Sequence, residues 1–512
     1  MKKTNSYAFS SSKKQQILNI FSAMLSFVVG FGISFFLSPY LLEVLGREAY
    51  SFYPLSTNIT NAMTVVSSAM NSMACRYITI SLVNKKNDDA NKYYSSTLFV
   101  DFLYSLILLG LSVLFIVFIG VFLEIPTSLL TPVRLLFTFT IASAIVNIMS
   151  TVFGVATFAT NRIELRSGRE IVTALLRAVL FLLFYSFLPA NLFYIGVVAL
   201  AVAVASLAIQ FVFTKRLLPD LFFSRANISK THVKEILISS IWVSINSLGN
   251  IFLAGITLMV LNKFYGPEIG SHVSLAMTIP NLISGVITAI IGIFFPLITK
   301  NFADANYAEL RKNIKKTQVV CGVFGCAVIV VFLAFAQSFY QLWVPTENAS
   351  LLTELTRYTL MPYLVISLFW VETYVNTATN DLKVPAIAMV CCGVVNIGCQ
   401  VLLAALHMDY KWIVLVCSIL QMLIVGGFLP IYMARTIQSK WYEFFEIPVK
   451  VLLLSVLAFI LSSCVSNMLT INSWTKFIVI GGGTGVFALA LYVVGLIVMK
   501  KGWLASVWQI RK

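Results

Sequence analysis

Long apolar runs separated by short polar links make up most of the chain. Because a helix needs about 20 predominantly apolar residues to cross a bilayer, about fourteen of these runs are long enough to span it. They lie near 17–41, 52–75, 97–122, 133–158, 170–188, 192–213, 236–261, 271–299, 318–343, 356–378, 384–404, 411–434, 448–466 and 474–498. The runs are continuous rather than alternating with polar positions, which excludes membrane β-strands. The pattern therefore predicts an all-α polytopic membrane protein with about 14 transmembrane helices.

A loose internal repeat relates residues 41–79 to residues 261–299, 220 positions later. Each copy has an apolar segment, a link with the pattern Gly-x-Glu, and a second segment with polar positions at helical spacing. These polar positions are Asn61, Thr64, Ser68 and Asn71 in the first copy and Asn281, Ser284 and Thr288 in the second. The spacing places each set on one helix face, and two matching faces favour a shared cavity over simple hydrogen bonding between helices.

The repeat also predicts how the chain is divided. Its offset covers six spans, an even number, so the two halves have the same orientation and a pseudo-two-fold axis along the membrane normal. We expect an N-terminal six-helix lobe at 1–214, a C-terminal six-helix lobe at 235–435 and an additional transmembrane helix pair at 447–499. The basic link between the lobes is a candidate hinge.

Composition supports the membrane prediction and excludes several kinds of site. The 512 residues are 59% hydrophobic and only 11% charged, with a mean hydropathy of +0.91, whereas soluble domains contain about 25% charged residues. The eight cysteines lie almost entirely inside apolar runs, and the three histidines are far apart. Neither set has the spacing of a metal site or a disulfide framework, and we expect no cofactor.

The net charge of +16 follows from membrane topology. When the fourteen runs are threaded alternately through a bilayer, most of the 36 lysines and arginines fall on the side of the N-terminus. Positive residues concentrate on the cytoplasmic side of membrane proteins, so both termini are predicted to be cytoplasmic. The same asymmetry explains the basic balance without a nucleic-acid partner.

Ionisable residues inside the spans are candidates for function because they are costly in a membrane. Arg177 is the deepest, and it either holds a phosphate group of a lipid carrier, extends to the cytoplasmic surface or pairs with a neighbouring helix. Glu372, with Asn376 one turn later, either takes up a proton or sodium ion during transport, or is solvated at a helix end or hydrogen-bonded to the neighbouring asparagines. Asp101, nearer a helix end, is a second candidate for ion coupling.

Further polar positions are candidates for substrate binding. Asn147, in a polar set with Ser143 and Ser150, and the pair Asn246 and Asn250 would bind sugar hydroxyls in a cavity, or would join helices. Arg76 follows the first polar set, where it would contact phosphate or act as a gate. Membrane topology alone also places a positive residue there. Asn61 and Asn281, the matching residues of the repeat, complete the candidate set.

Several stretches resemble those of Wzx-type polysaccharide and O-antigen flippases of the multidrug/oligosaccharidyl-lipid/polysaccharide exporter superfamily. They include SPYLLEVLGREAYSFYPLS, RYITISLVNKKNDDANKYYSS, FGVATFATNRIEL, FYGPEIGSHVSLAMTIPNLISGVITAIIGIFFPLITK and ATNDLKVPAIAMVCCGVVNI. The resemblance implies translocation of an undecaprenyl-pyrophosphate-linked oligosaccharide from the inner to the outer leaflet by alternating access, for surface polysaccharide biosynthesis. It implies a bacterial inner-membrane location, contact with membrane lipids and with other polysaccharide assembly proteins, and a pyrophosphate contact for Arg177.

Two other functions are weighed against the flippase. A multidrug or organic-cation antiporter on the same scaffold would need acidic cavity residues, whereas the deepest charge in this chain is an arginine. A membrane polysaccharide polymerase or ligase would be expected to have a sizeable outer loop with catalytic charges, and the outer loops are short, so we expect no enzyme. The first span also lacks the arginines that lipid II flippases carry there and the acidic residue that drug exporters often carry there.

Overall fold

The computed structural model describes residues 13–379 and 381–499, and within these ranges every regular element is helical. The first elements are α1 (Lys13–Leu45), α2 (Arg47–Val83), α3 (Asn87–Val117), α4 (Ile119–Phe122), α5 (Leu130–Thr151), α6 (Val155–Ala159), α7 (Ile163–Phe187), α8 (Phe193–Leu217), α9 (Lys230–Asn250) and α10 (Thr257–Tyr265). They are followed by α11 (Pro267–Ala303), α12 (Tyr307–Trp343), α13 (Ala349–Phe369), α14 (Val371–Ala378), α15 (Lys383–Ala405), α16 (Tyr410–Leu423), α17 (Leu429–Thr436), α18 (Glu446–Met468) and α19 (Trp474–Met499). The predicted all-α class is confirmed.

Twelve helical segments among the described residues are long and apolar enough to cross a membrane. Two further segments also match predicted spans: α2, which carries the polar positions of the first repeat copy, and α13 with α14, which is interrupted at Trp370. Together they account for the fourteen spans expected from the sequence. Several helices extend beyond their apolar cores. α3, for example, begins at Asn87, where Asp88 and Asp89 in the first turn stabilise the positive end of the helix dipole.

The chain divides into two compact units. The first contains Met1–Ile251 and Leu258–Ser271, and the second contains Phe252–Thr257 and His272–Lys512. The first unit thus includes α9, which packs on α2 and α3. The lobe limits expected from the repeat, 1–214 and 235–435 with a helix pair at 447–499, stay a prediction.

The tightest helix pair of the first unit is α5 against α8. A Cβ atom added at Gly196 of α8 would lie 2.8 Å from the carbonyl oxygen of Leu136 and 2.8 Å from the Cβ of Phe139. Backbone cannot move away as a flexible side chain can, so only glycine allows this approach. Small residues at close helix crossings are typical of membrane bundles, where association depends on packing and not on the hydrophobic effect.

The second unit packs its last two helices onto α12. Its core contains Cys326 of α12, Val451 of α18 and Tyr492 of α19, all essentially inaccessible to solvent. The hydroxyls of Ser455 and Tyr492 lie 2.7 Å apart, so each satisfies the other inside this contact. Close packing with paired polar atoms makes α18 and α19 an integral part of the second unit.

Two helices are interrupted by wide π-helical turns, at Ile251–Gly255 and Ile424–Phe428. In the first of these turns the carbonyl oxygen of Leu253 accepts hydrogen bonds from Asn396 Nδ2 at 3.0 Å and Cys417 Sγ at 3.0 Å. Irregular backbone at membrane depth needs such partners because lipid offers none. The polar side chains of α15 and α16 therefore allow the helix to deviate from regular geometry.

The sequence repeat is also a repeat of backbone geometry. Gly46 links α1 to α2 with φ of 79°, and Gly266 links α10 to α11 with φ of 87°; these are the two glycines with positive φ among the described residues. Such values are accessible to glycine and strained for other residues. In the first unit, Arg47 beside the first link forms an ion pair with Glu268 beside the second, with 3.2 Å between Nη1 and Oε1.

Candidate functional site

A polar cavity lies inside the first unit among α2, α5, α7 and α8. It has two parts, of about 590 Å³ and about 290 Å³, and the side chains of Asn147 and Ser206 line both. Cavities that bind small molecules in proteins typically measure about 300–1,000 Å³. The first unit therefore contains a cavity large enough for a small hydrophilic group, with polar side chains in both parts.

The smaller part brings together three residues that the sequence singled out. Arg177 comes from α7, Asn61 from α2 and Asn147 from α5, and all three line this space. Arg177 lies 14 residues after Ile163, the first residue of α7, which places it about 21 Å along the helix. Since the hydrocarbon core of a bilayer is about 30 Å thick, this cation is far from the helix ends.

Arg177 has no partner in the part of the chain that the structure describes. No carboxylate pairs with it there, and its exposed guanidinium faces the cavity. Around it lie hydroxyl and amide groups, including Thr173 on the same helix and Ser143 on α5. An unpaired guanidinium surrounded by neutral hydrogen-bonding groups offers an anion both charge and several N–H donors.

The larger part of the cavity carries two more arginines of α7, Arg166 and Arg169. Both contact Glu170 Oε1, Arg166 Nε at 3.0 Å and Arg169 Nη2 at 3.4 Å, while Ser26 of α1 donates to Glu170 Oε2 at 3.0 Å. These two cations are therefore partly neutralised, unlike Arg177. Neither part of the cavity includes an aspartate or glutamate among its described lining residues.

Asp101 lies next to this cavity but is closed off from solvent. Its carboxylate on α3 accepts hydrogen bonds from Ser67 Oγ at 2.9 Å and from Asn71 Nδ2 at 2.9 Å, both on α2. Asn71 also lines the larger part of the cavity. The buried carboxylate thus fixes the rotation of α2 and with it the direction of the first polar set. Its role in ion coupling stays a prediction.

Glu372 has an unusual environment in the second unit. It follows the interruption at Trp370, is fully buried, and has Asn376 one turn later at 1% exposure. Among the described residues, neither carboxylate oxygen of Glu372 and neither amide atom of Asn376 has a hydrogen-bond partner. Burying such groups unpaired costs about 1–3 kcal/mol each, and more when they are charged. A proton or a bound monovalent cation would relieve this cost.

The remaining predicted residues lie elsewhere. Asn281 lines a separate cavity of about 60 Å³ in the second unit. Asn250 Nδ2 donates to the carbonyl oxygen of Asn246 at 3.0 Å, so the pair is linked along its own helix. Arg76 is exposed on α2. None of these four is among the described residues that line the first-unit cavity, and their proposed contacts with substrate stay predictions.

Some cavity residues were not singled out from the sequence. Arg166 and Arg169 contribute only to the predicted distribution of positive charge across the membrane. They precede Arg177 on the same helix, which is a signal that the three could line one space. Gln210 and Ser206 of α8 line the larger part, and Gln210 Nε2 donates to Ser150 Oγ at 3.2 Å. A glutamine and a serine four residues apart within an apolar run were a usable signal, because this spacing defines one helix face.

The apolar helical bundle, with a cavity that carries arginines, defines a multi-pass membrane protein. Residues 17–302 match the family described as polysaccharide biosynthesis protein, and the chain belongs to that family. A membrane protein of Bacillus subtilis (strain 168), EpsK, described as uncharacterized, is 26% identical over 486 residues, which cover 94% of this chain and 96% of that protein.

Solved structures show the same fold. The lipid II flippase MurJ in an inward closed conformation aligns with a TM-score of 0.67 and 15% identity, covering 95% of this chain and 100% of that one. An inward-facing multidrug resistance MATE family transporter of the MOP superfamily aligns with a TM-score of 0.63 and 11% identity, covering 83% and 99%. The polysaccharide biosynthesis family and the fold expected from the sequence resemblance are confirmed.

Proposed function

We propose that the protein is a flippase that moves an undecaprenyl-pyrophosphate-linked oligosaccharide from the inner to the outer leaflet by alternating access, for surface polysaccharide biosynthesis. The observation that carries the proposal is Arg177, a cation without a carboxylate partner among the described residues, deep in a membrane helix and facing a polar cavity. Membership of the polysaccharide biosynthesis family supports a role in making a glycan. The fold shared with the lipid II flippase MurJ supports transport as that role.

The cavity provides chemistry for both parts of such a headgroup. Arg177 is placed to bind the pyrophosphate, since a guanidinium fork matches two phosphate oxygens. Asn61 and Asn147, with neighbouring hydroxyls, are placed to hydrogen-bond the sugars. A binding site for organic cations would need acidic groups, and the described lining residues include none.

We place the protein in a bacterial cytoplasmic membrane with both termini in the cytoplasm. The distribution of lysine and arginine supports this orientation. In it, Arg166 and Arg169, near the start of α7, lie closer to the cytoplasmic face than Arg177 does. The headgroup would meet these partly neutralised cations before it reaches the unpaired one.

For energy coupling we propose Glu372 with Asn376. Their four buried polar atoms lack partners among the described residues, which suits reversible uptake of a proton or sodium ion. The substrate site would then lie in the first unit and the coupling site in the second.

The proposal is tested by deleting the gene and measuring both the surface glycan and the leaflet that holds its lipid-linked precursor. We expect the surface glycan to be lost and the precursor to accumulate in the inner leaflet. Unchanged glycan with no inner-leaflet accumulation would refute the flippase assignment. Increased drug sensitivity in the same strain, with normal glycan, would instead support the multidrug antiporter.

A further inference from the structure

A second polar cavity, separate from the one described above, lies in the second unit. It measures about 420 Å³ and is bordered by the end of α12, the beginning of α13, the end of α18 and the link from α18 to α19. Ten of its fifteen lining residues are polar, a composition quite different from the apolar sequences of α12 and α18 around them. We call this space the α12–α18 groove.

The polar residues of the groove form faces on two helices. Gln337 and Gln341 are four residues apart on α12, and Ser463, Ser466 and Asn467 are three and four residues apart on α18. This spacing puts each set on one side of its helix. Both faces line the same space, although the two helices are more than 100 residues apart in the sequence.

The amide side chains of the groove differ from other polar groups on the same helices. Among the described residues, the side chains of Gln337, Gln341, Asn467 and Asn472 make no intramolecular hydrogen bond. Polar groups elsewhere on the same helices behave differently: Ser455 of α18 contacts Tyr492. The helix pair thus changes along its length from a satisfied, packed contact to a groove with free donors and acceptors.

An aromatic cluster lies beside the groove. Phe339 near the end of α12 contacts Trp474 and Phe477 at the start of α19, with ring centroids 6.1 Å and 5.8 Å apart. These contacts fix the start of α19 against α12, beside the polar faces. The polar faces of the groove therefore adjoin a packed aromatic contact between α12 and α19.

A single cation gives the groove its charge. Arg357 of α13 is exposed and lines the space, and the groove's described lining residues include no acid. The nearby carboxylate of Glu354 is held by Lys411 Nζ at 2.9 Å and by the hydroxyl of Tyr358 at 3.1 Å. Arg357 attracts Glu354 electrostatically, while the hydrogen bonds of this carboxylate are with Lys411 and Tyr358.

We propose that the α12–α18 groove is a second binding site, for a hydroxyl-rich sugar headgroup that carries one acidic group. Carboxamides and hydroxyls bind sugar hydroxyls, the ring of Phe459 offers an apolar face for a sugar ring, and Arg357 binds the acid. The choice of a glycan rests on the proposed function. With the topology proposed above, the groove opens on the outer face, where an exported headgroup arrives.

The test measures binding to the full-length protein in phosphatidylglycerol nanodiscs by saturation-transfer NMR. The probes are N-acetylglucosamine 1-phosphate, N-acetylglucosamine and inorganic phosphate. We expect the sugar phosphate to bind more tightly than either simpler probe, and Arg357→Gln to weaken its binding at least tenfold. Lys476→Gln removes a cation from the same end of the protein, outside the groove, and is expected to change binding less than twofold.

A second variant tests the groove without changing charge. Asn467→Leu is expected to reduce sugar phosphate binding by partly filling the groove. Elution as a single symmetric peak in gel filtration checks that each variant is folded. Sugar phosphate binding that survives both Arg357→Gln and Asn467→Leu in folded protein would overturn the proposal.

The outcome is separable from that of the flippase proposal. If sugar phosphate binding is lost in Arg177→Gln and retained in Arg357→Gln, the first-unit cavity is the binding site and the groove proposal is refuted while the flippase proposal stands. Loss in Arg357→Gln alone supports the groove even if gene deletion leaves the surface glycan unchanged. Competition by a polyprenyl-linked sugar phosphate for the site of N-acetylglucosamine 1-phosphate identifies a lipid headgroup as the source. If only soluble sugar phosphates compete, the source is a free glycan.

Discussion

Replacing Arg177 with alanine tests the cavity most directly. The guanidinium has no protein partner among the described residues, so its removal leaves no carboxylate unpaired. A cation near the centre of a membrane helix costs about 2.5–3.5 kcal/mol on insertion scales, so the variant should insert and fold at least as well as the wild type. Any loss of function would then come from the missing contact with the substrate.

The size of that loss follows from the chemistry of the contact. Hydrogen bonds to charged groups contribute about 1.5–3 kcal/mol. Since 1.4 kcal/mol is a factor of ten, Arg177→Ala should weaken binding of the lipid-linked oligosaccharide roughly 10- to 100-fold. Arg177→Lys keeps the charge but not the planar fork, and should give an intermediate loss.

Two assays and a matched control define the result. Native mass spectrometry of the purified protein with its lipid-linked oligosaccharide gives the change in affinity, and the amount of surface glycan gives the change in transport. Arg216→Ala removes an exposed arginine of α8 that lines neither part of the cavity, and is expected to behave like the wild type. Full transport by Arg177→Ala, or an equal loss in Arg216→Ala, would show that the cavity reasoning is wrong.

Three further predictions concern packing, the buried network and coupling. Gly196→Ala should lower the free energy of unfolding by about 1–3 kcal/mol because its Cβ would lie 2.8 Å from backbone. The control Gly398→Ala, whose Cβ would have no atom within 4 Å, should leave it unchanged; equal melting temperatures for the two variants would contradict this. Asp101→Ala removes the acceptor that Ser67 and Asn71 share, leaving them only their weaker contacts with Thr151 and within α2, and should lower the free energy of unfolding by about 1–3 kcal/mol; an unchanged melting temperature in detergent would contradict this. Glu372→Gln should keep the fold and abolish the response of transport to an imposed proton or sodium gradient; a wild-type response would remove Glu372 from coupling.

Helix number and class could be predicted because apolar length is decisive in a membrane. Continuous runs require helices, and the fourteen predicted spans all correspond to helical segments. The ends of those segments could not be predicted, because polar residues continue a helix beyond the bilayer. The interruption at Trp370 and the wide turn at Ile251–Gly255 were also missed. They depend on partners such as Asn396, which lies far along the chain.

The candidate site was predicted in part. Periodicity places Asn61 and Asn71 on nearly the same side of α2, but it does not identify the neighbour that each one meets. In the structure Asn61 faces the cavity part that contains Arg177, while Asn71 donates to Asp101 of α3. The rotation of α2 is set by that buried carboxylate. A single sequence gives no measure of such contacts between helices.

The positive φ angles of Gly46 and Gly266 limit which amino-acid substitutions the protein tolerates at these two links. Each side chain added at such a backbone would cost of the order of 1–3 kcal/mol, whatever the space around it. A saturation mutagenesis experiment should therefore record two sharp minima in variant fitness, at Gly46 and Gly266, which are separated by the 220-residue offset of the sequence repeat. The two glycine links would then mark, in the fitness data, the matching positions of the two copies of the repeat.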